Sequence, residues 1–500
     1  MKLLKDFKAH LQQMNNFQHA ASVLYWDMQT IMPKNGAQAH IEALTQLSDH
    51  SFKLWASEKT DNFLTKLSES SNFEQLDDIS KIMVTKLKED FDRDKNIPPE
   101  LVSRRTTRTN QSEQAWKTAK NADDFETMVP YFQEIIDISK EIVSYTDPGK
   151  DPYDALLNNY EKGMDAESIA TIFEQLRKGT VPIIEAISTK KAPFDESKVL
   201  AKFPKLEQQK FADYLMNVIG YDLDSGVLGE TEHPFTAGDA PNDVRITTHY
   251  HEKDIRPAIF SVLHEGGHAI YEQHIDKRLI GTGLNTGTSM GIHESQSRFY
   301  ENIIGRNKNF WANHYDKLKE CFPYYNNNIS LDDFYQSINT VNPSLIRIEA
   351  DELTYNMHII VRFELEKALF DGSLAVKDLP EVWREKMKAY LGVEPKSNKD
   401  GVLQDVHWPA GLFGYFPSYT LGNIYSGQFL EQFEKEICSM DTILANNEIN
   451  KVTEWLAKNI HQYGKMKTPV EIIQDTCGGS VDPKAIIKYY TNKYTKIYNL

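Results

Sequence analysis

Residues 260–273 read FSVLHEGGHAIYEQ, and the apolar side chains around the two histidines predict a mostly buried helix. We expect this helix to span about residues 255–273, with Pro257 tolerated in its first turn. On such a helix His264 and His268 are four positions apart and lie one above the other. Two imidazoles in that arrangement can bind one zinc ion. The stretch therefore predicts a metal site on a buried helix.

Glu265 is the third reactive group of this stretch. It lies roughly 60° around the helix from His268, near enough to reach a metal-bound water without binding the metal. Zinc acidifies such a water and polarises the scissile carbonyl, while a glutamate takes the proton and passes it to the leaving amine. The pattern therefore predicts a metallopeptidase with Glu265 as general base and acid.

Gly266 and Gly267 interrupt this helix, although each glycine costs about 1 kcal/mol relative to alanine in a helix interior. Without side chains, these positions let backbone from another element or from substrate approach beside the metal. The alternative is tight packing of the helix.

A catalytic zinc site needs a third protein ligand and an open fourth position. The segment SMGIHESQSRFYENIIGR, residues 289–306, supplies Glu294 at the start of a second amphipathic helix. His293 and Glu301 compete with Glu294 on chemistry alone. Taken by itself, Glu294 is a first-turn carboxylate favoured by the helix dipole. Beside a helix with two histidines, we predict it to be the third ligand.

The rest of the chain is patterned for helices. Of its 500 residues 40% are hydrophobic, enough for a large core, and no linker separates autonomous domains. We expect a helix after Asp123 or Asp124, a capping box at Ser330 and Asp333, and a long helix over residues 343–370. Residues 242–251, NDVRITTHYH, alternate as a half-buried strand instead. We predict one mainly α-helical unit over residues 1–500 with a small sheet.

The overall composition narrows the class of protein. The net charge is −16, which disfavours nucleic acid and anionic lipid as partners. No run of apolar residues is long enough to suggest a membrane span, and the first residues lack the apolar core of a secretory signal. Three cysteines far apart in sequence fit a reducing compartment. We therefore expect a cytoplasmic protein.

Several further segments resemble signatures of one family, the zinc carboxypeptidases of the carboxypeptidase Taq type. They occur in the family's order, and residues 25–40, YWDMQTIMPKNGAQAH, also resemble its amino-terminal region. The segments are HPF (233–235), DVRIT (243–247), HEGGH (264–268), HESQ (293–296), IRIEAD (346–351) and GVLQDVHW (401–408).

The resemblance implies that His264, His268 and Glu294 bind the metal and that Glu265 is the general base and acid. It implies a helical fold like those of angiotensin-converting enzyme and neurolysin, with a deep groove between two halves. Members of the family are typically cytoplasmic homodimers that remove carboxy-terminal residues with broad specificity, proline being disfavoured. Zinc is their usual metal, and cobalt often supports activity.

An exopeptidase of this kind must recognise the free carboxylate of its substrate, for which an arginine fork is the natural receptor. Arg347 is the first choice, because it begins a polar stripe at helical spacing that continues through residues 351, 354, 358 and 362. An exposed pair of Arg347 with Asp351 is the alternative. Arg245 is the second choice, and His233 of the HPF segment is a further predicted substrate-binding residue.

Two more roles follow from the same segments. The predicted strand at residues 242–251 can hold substrate backbone at its edge by strand addition, or be an ordinary structural strand. His407 and Tyr415 are candidate donors to the oxyanion of the tetrahedral intermediate, by analogy with angiotensin-converting enzyme-like proteins. Tyr419 is the competing tyrosine, and we assign it to substrate binding.

The function predicted is a zinc carboxypeptidase, and two alternatives remain. An oligoendopeptidase of the neurolysin class shares the zinc helix and the helical groove. A helical binding scaffold with a purely structural metal is the alternative from another class, and the open fourth position predicted for the metal disfavours it.

Overall fold

The protein is mainly α-helical, as predicted, in a computed structural model that describes residues 1–500 apart from the side chain of Asp239. The first ten α-helices are α1 (Lys2–Thr30), α2 (Ala37–Trp55), α3 (Glu58–Ser68), α4 (Ser70–Phe73), α5 (Asp78–Asp94), α6 (Pro99–Ala122), α7 (Val129–Thr146), α8 (Pro152–Tyr160), α9 (Ala166–Ser188) and α10 (Lys205–Ile219). The others are α11 (Arg256–Gln273), α12 (Met290–Arg298), α13 (Lys308–Cys321), α14 (Tyr324–Asn328), α15 (Leu331–Ser337), α16 (Tyr355–Asp371), α17 (Leu379–Leu391), α18 (Pro417–Glu436), α19 (Met440–Ala445), α20 (Ile449–Asn459), α21 (Pro469–Cys477) and α22 (Lys484–Tyr498).

A three-stranded sheet lies between α10 and α11 in the chain. Its strands are β1 (Leu228–Glu230), β2 (Thr236–Ala240) and β3 (Asp243–Thr248), in the order β1-β3-β2. The strand predicted at residues 242–251 is confirmed over Asp243–Thr248, but its predicted role as an edge is wrong. Strand β3 is central, parallel to β1 and antiparallel to β2, so both of its edges are paired.

Helix α11 is the predicted histidine helix and begins one residue later than expected, with Pro257 in its first turn. Pro257 is tolerated there because the first N–H groups of a helix have no intrahelical partner. The helix packs against β2, β3, α10 and α12, and its apolar side chains at Val262, Leu263 and Ile270 are fully buried. Burial on several sides therefore fixes the orientation of the two histidines.

Asp124, one of the two residues predicted to cap the helix after α6, does so. Asp123 ends α6 in the left-handed region at φ 57°, whereas Asp124 Oδ1 accepts a hydrogen bond from Thr127 N in the 3₁₀ turn Glu126–Met128, which leads into α7. The next helix, α7, begins only at Val129, where Pro130 supplies the fixed φ of a first turn. The capping box predicted at Ser330 and Asp333 is confirmed at the start of α15.

The long helix predicted over residues 343–370 is wrong in its first half. Helix α16 begins at Tyr355, because Asp351 turns the chain by accepting hydrogen bonds from Leu353 N and Thr354 N, both at 3.0 Å. Arg347 lies in a separate 3₁₀ turn, Arg347–Glu349. It therefore does not share a helical stripe with the polar residues of α16.

Among the described residues, none of the helices is both long and apolar enough to cross a membrane.

Candidate metal centre and active site

Three predicted ligands meet in the structure. His264 and His268 project from α11, and Glu294 from α12, with their ligand atoms all within 4.8 Å of one another. Glu294 Oε2 lies 3.6 Å from His264 Nε2 and 3.6 Å from His268 Nε2. Nitrogen and oxygen ligands of one tetrahedral zinc lie about 3.3–3.4 Å apart when each is about 2.0–2.1 Å from the ion. The spacing of these donor atoms therefore fits an ion of the size of zinc.

Glycines bring together the two helices that carry the predicted ligands. A Cβ atom added at Gly267 would lie 2.6 Å from Gln296 O and 2.7 Å from Ser297 Cα, so α12 packs directly on the backbone of α11. A Cβ at Gly266 would instead meet the end of the Ile219 side chain. The second glycine of HEGGH thus admits a neighbouring helix, the one that carries Glu294.

Helix α12 makes a second contact of this kind, with α18. A Cβ atom added at Gly422 of α18 would lie 2.7 Å from both Cβ and Cγ of Glu294. Helix α12 therefore packs closely on the backbone of both α11 and α18, which limits sideways movement of Glu294.

Glu301 orients His264. Its Oε2 atom lies 2.8 Å from His264 Nδ1, which leaves Nε2 facing Glu294. Glu301 comes from a π-helical turn, Phe299–Ile304, which continues α12 and re-aims the side chains that follow it. Although burial alone would raise it, Arg298 and His264 hold the pKa of Glu301 well below its usual range. Glu301 is therefore an ionised partner of His264, placed behind the ligand cluster.

His293 orients the second histidine. Its Nδ1 atom lies 2.7 Å from His268 Nδ1, and its Nε2 atom lies 2.7 Å from Glu272 Oε1. Burial, and then His293 and His264, hold the pKa of His268 well below its usual range, so His268 is neutral and suited to metal binding. The two rival candidates for the third ligand thus contact the far nitrogens of the two histidines.

Glu265 lies beside the ligand cluster and is 7% exposed. The hydroxyl of Thr236, at the start of β2, donates a hydrogen bond of 2.6 Å to Glu265 Oε2. Burial raises the pKa of Glu265 above its ordinary value, although nearby His264 opposes this. A carboxylate of raised pKa is a stronger base, which suits a group that takes a proton near neutral pH. Sequence reasoning missed Thr236, because the sheet alone brings it to α11.

Arg347 is buried in a polar cluster instead of forming an exposed pair with Asp351. Asp405 Oδ1 accepts a hydrogen bond of 3.0 Å from Arg347 Nε, and Asp405 Oδ2 accepts one of 2.7 Å from Arg362 Nε. Arg347 Nη1 also donates to the hydroxyl of Tyr355 at 2.8 Å. Two guanidinium groups therefore share one carboxylate.

Tyr355 links this arginine cluster to the ligand cluster. The guanidinium of Arg298 lies 4.6 Å from the centre of the Tyr355 ring, and Arg298 Nε donates to Glu294 Oε1 at 2.7 Å. Arg347 bonds the hydroxyl of the same tyrosine. The predicted carboxylate receptor and the predicted metal ligands are thus parts of one connected site.

His407, Tyr415 and Tyr419 lie together at this site. His407 Nε2 lies 3.2 Å from the Tyr419 hydroxyl, and the rings of Tyr415 and Tyr419 are 5.3 Å apart. Burial raises the pKa of Tyr415, and nearby Glu294 adds to the effect, so its phenol is neutral. Burial lowers the pKa of His407 to about 4, so this imidazole is neutral as well.

The two remaining predicted residues belong to the sheet region. Arg245 makes a fork with Asp243 of its own strand, with hydrogen bonds of 2.8 and 2.9 Å, and its guanidinium lies 5.5 Å from the Trp26 ring. His233 precedes β2, its side chain is exposed, and its backbone N–H and carbonyl both bond the Thr231 hydroxyl. Of the two predicted arginines, Arg347 therefore lies beside Tyr355, whereas Arg245 lies with Asp243 and Trp26.

Two histidines one helical turn apart, a glutamate next to the first, and an acidic residue as third ligand are typical of a metallopeptidase.

Comparison with known proteins identifies the family. The model of the carboxypeptidase Taq (M32) metallopeptidases matches residues 6–494, and the chain belongs to that family. Three relatives support this. Carboxypeptidase 1 of Bacillus subtilis (strain 168) is 40% identical over 496 residues, 99% of each chain.

Thermostable carboxypeptidase 1 of Thermus thermophilus is 37% identical over 482 residues, which cover 95% of this chain and 94% of the relative. The crystal structure of an M32 carboxypeptidase from Deinococcus radiodurans R1 has a TM-score of 0.96 at 34% identity, and the match covers 100% of both chains. The protein is therefore a metallocarboxypeptidase that uses a divalent metal and acts on peptides.

Proposed function

We propose that the protein is a zinc carboxypeptidase that releases single amino acids from free carboxy termini, with His264, His268 and Glu294 as the metal ligands. The observation that carries the ligand assignment is the pair of 3.6 Å distances from Glu294 Oε2 to the two imidazole nitrogens. His293 and Glu301 are assigned as partners of the ligands, since each contacts the far nitrogen of a histidine.

Glu265 is the proposed general base and acid. When bound, zinc lowers the pKa of water and polarises the substrate carbonyl. Glu265 takes the proton from water at one carboxylate oxygen and returns it to the leaving amine. Thr236 holds Glu265 Oε2 by its 2.6 Å hydrogen bond, which leaves the other oxygen for this transfer.

Tyr415 and His407 are the proposed donors to the developing oxyanion. The Tyr415 hydroxyl lies 3.8 Å from Met290 Sδ and beside the Tyr419 side chain, where it can turn towards a substrate oxygen. The Tyr419 hydroxyl is engaged by His407, which favours a substrate-binding role for Tyr419. A neutral His407 can donate one N–H to the same oxyanion or to the substrate.

Arg347 is the proposed receptor for the substrate carboxylate. Arg347 and Arg362 carry two positive charges against one negative charge on Asp405. Burial lowers the pKa of His358 to about 3, so this buried histidine adds no charge. An unbalanced positive charge in a buried cluster favours an anionic ligand, and the terminal carboxylate of a peptide supplies one. Arg245 is less suited, because the carboxylate of Asp243 balances its charge.

The family resemblance supports the remaining proposals. We propose broad specificity with proline disfavoured, zinc as the native metal with cobalt as a working substitute, and a cytoplasmic homodimer. Residues 1–500 are proposed to form one catalytic unit with two helical halves beside the groove.

Amidation of the substrate tests this function against its nearest rival. The metal-loaded protein is expected to cleave a peptide with a free carboxy terminus and to lose about 10²-fold or more in kcat/KM on the amidated peptide, because Arg347 loses its charged partner. Product formation is measured by chromatography on both peptides at equal concentration. Equal cleavage of both peptides at an internal bond would instead support a neurolysin-like oligoendopeptidase.

A further inference from the structure

Glu161, directly after α8, is a buried carboxylate that joins three separate parts of the chain. It is 1% exposed. Its Oε1 atom accepts hydrogen bonds of 3.0 Å from the hydroxyls of Ser289 and Tyr425, and its Oε2 atom accepts one of 2.9 Å from Gly291 N. Ser289 and Gly291 are at the start of α12, and Tyr425 lies on α18. Glu161 therefore connects α8, α12 and α18 at one point.

The contact with α12 is made to its first turn. A Cβ atom added at Gly291 would lie 2.5 Å from Glu161 Oε2, so the carboxylate reaches the backbone where any other residue would obstruct it. Ser289 is also the N-cap of α12, since its Oγ accepts a hydrogen bond from Ile292 N. A negative charge at this end of the helix is stabilised by the helix dipole as well as by the three donors.

This contact complements the glycine contacts along α12. Gly267 and Gly422 hold the helix from the sides, at the level of Glu294 and the residues after it. Packing from the sides does not prevent α12 from sliding along its own axis. A slide by one residue would move its side chains by about 1.5 Å. Movement along the axis would displace Glu294 from His264 and His268. Glu161, bonded to the first turn, opposes that displacement.

We propose that Glu161 is a positioning residue of the metal site, which fixes α12 along its axis and thereby places Glu294 at binding distance from the two histidines. The inference rests on the proposed metal-binding role of these three residues. Burial raises the pKa of Glu161 to about 7, so the three donors offset an unfavourable environment for the ionised side chain. An apolar residue could fill the same space without this cost, so filling space alone does not explain a carboxylate at this position.

The chain offers a matched control in Glu366. This glutamate is also fully buried, and it accepts hydrogen bonds from Tyr153 OH at 2.8 Å, Trp408 Nε1 at 2.7 Å and Gly414 N at 2.9 Å. Burial raises its pKa to about 7 as well. Glu366 holds the loop around His407, however, and makes no hydrogen bond to α12 among the described residues.

The test uses full-length protein stripped of metal and titrated with Co²⁺ alone. Glu161→Asp withdraws the carboxylate by one methylene, and we expect it to weaken Co²⁺ binding by about 10-fold or more and to shift the visible absorption of the bound ion, because Glu294 moves with α12. Glu161→Gln keeps the length of the side chain, and the two hydroxyls can accept from its amide. We expect Glu161→Gln to bind Co²⁺ with most of the affinity of the parent.

Glu366→Asp is the control. We expect it to lower the unfolding temperature of the metal-free protein about as much as Glu161→Asp does, while leaving Co²⁺ affinity unchanged.

Equal Co²⁺ affinity and equal spectra for Glu161→Asp, Glu366→Asp and the parent would overturn the proposal and leave Glu161 a general stabilising residue. Should Glu161→Asp fail to fold, Tyr425→Phe removes one donor to the same carboxylate, and a smaller loss of Co²⁺ affinity is expected; unchanged affinity there contradicts the proposal. Failure of the proposed function is seen separately, as a parent protein that binds Co²⁺ but hydrolyses no peptide.

Discussion

Glu265→Gln is expected to lower kcat for peptide hydrolysis by about 10²–10⁴-fold, the usual contribution of a general base. Glutamine has the same size and can still accept the hydrogen bond from Thr236, so the buried position is filled without a void. It cannot take a proton from water near neutral pH. Because Glu265 is not one of the three proposed ligands, we expect the variant and the parent each to bind one metal ion per chain.

The measurement combines steady-state kinetics with metal analysis of the purified variant. Glu167→Gln, a change at an exposed glutamate in the first turn of α9, is the matched control and should leave kcat and metal content unchanged. Near-parental kcat for Glu265→Gln would show that another group takes the proton. Loss of the metal in Glu265→Gln would show that Glu265 is itself a ligand.

Gly267→Ala is expected to destabilise the protein and weaken metal binding. The added Cβ would lie 2.6 Å from Gln296 O and 2.7 Å from Ser297 Cα, and these backbone atoms can move only if α12 moves. Overpacking of this kind costs about 1–3 kcal/mol, occasionally more, and outweighs the gain in helix propensity of up to about 1 kcal/mol. Since Glu294 lies on α12, we also expect metal affinity to fall by about 10-fold or more.

Gly266→Ala is the matched control for this prediction, because it makes the same change one residue earlier in the same helix. Its Cβ would meet the end of the Ile219 side chain, which can rotate away. We therefore expect a small change in the free energy of unfolding and parental metal affinity. Denaturant unfolding and metal titration of both variants give the comparison. Equal effects of the two substitutions would contradict the assigned role of Gly267 in helix contact.

The local chemistry of the site could be predicted from sequence because it is encoded at short range. The four-residue spacing of His264 and His268 holds on any helix, and the capping box at Ser330 and Asp333 is complete within one turn. The alternating strand predicted at residues 242–251, which the structure has as Asp243–Thr248, was predictable for the same reason. Its central place in the sheet was not, since strand order depends on pairing with segments that carry weaker patterns.

The predicted helix over residues 343–370 shows what local patterns leave out. Apolar spacing continues through the segment, yet Asp351 caps a later start at Tyr355, and the preceding turn delivers Arg347 to Asp405. That ion pair joins residues far apart in sequence, so no local periodicity indicates it. Asp405 and Tyr355 were missed as parts of the site for this reason, although Asp405 directly follows the glutamine of the GVLQDVHW segment.

The residues that hold the proposed ligands and Glu265 in place could not be predicted from sequence either. Glu301 was considered as a ligand, but the π-helical turn that aims it at His264 Nδ1 has no sequence signature. Thr236 reaches Glu265 only because β2 pairs with β3 beside α11. Glu161 lies more than a hundred positions before the helix that it contacts, and its single signal in the sequence is the glycine at 291.

The central claim, that the protein removes amino acids one at a time from a free carboxy terminus, is tested most directly by mass spectrometry of peptide products over time. A peptide of mixed composition is incubated with the zinc-loaded protein and sampled at intervals. We predict a ladder of products that each lack one more carboxy-terminal residue, absent when a chelator is present. Two complementary fragments from a single internal cut, with no ladder, would contradict the account.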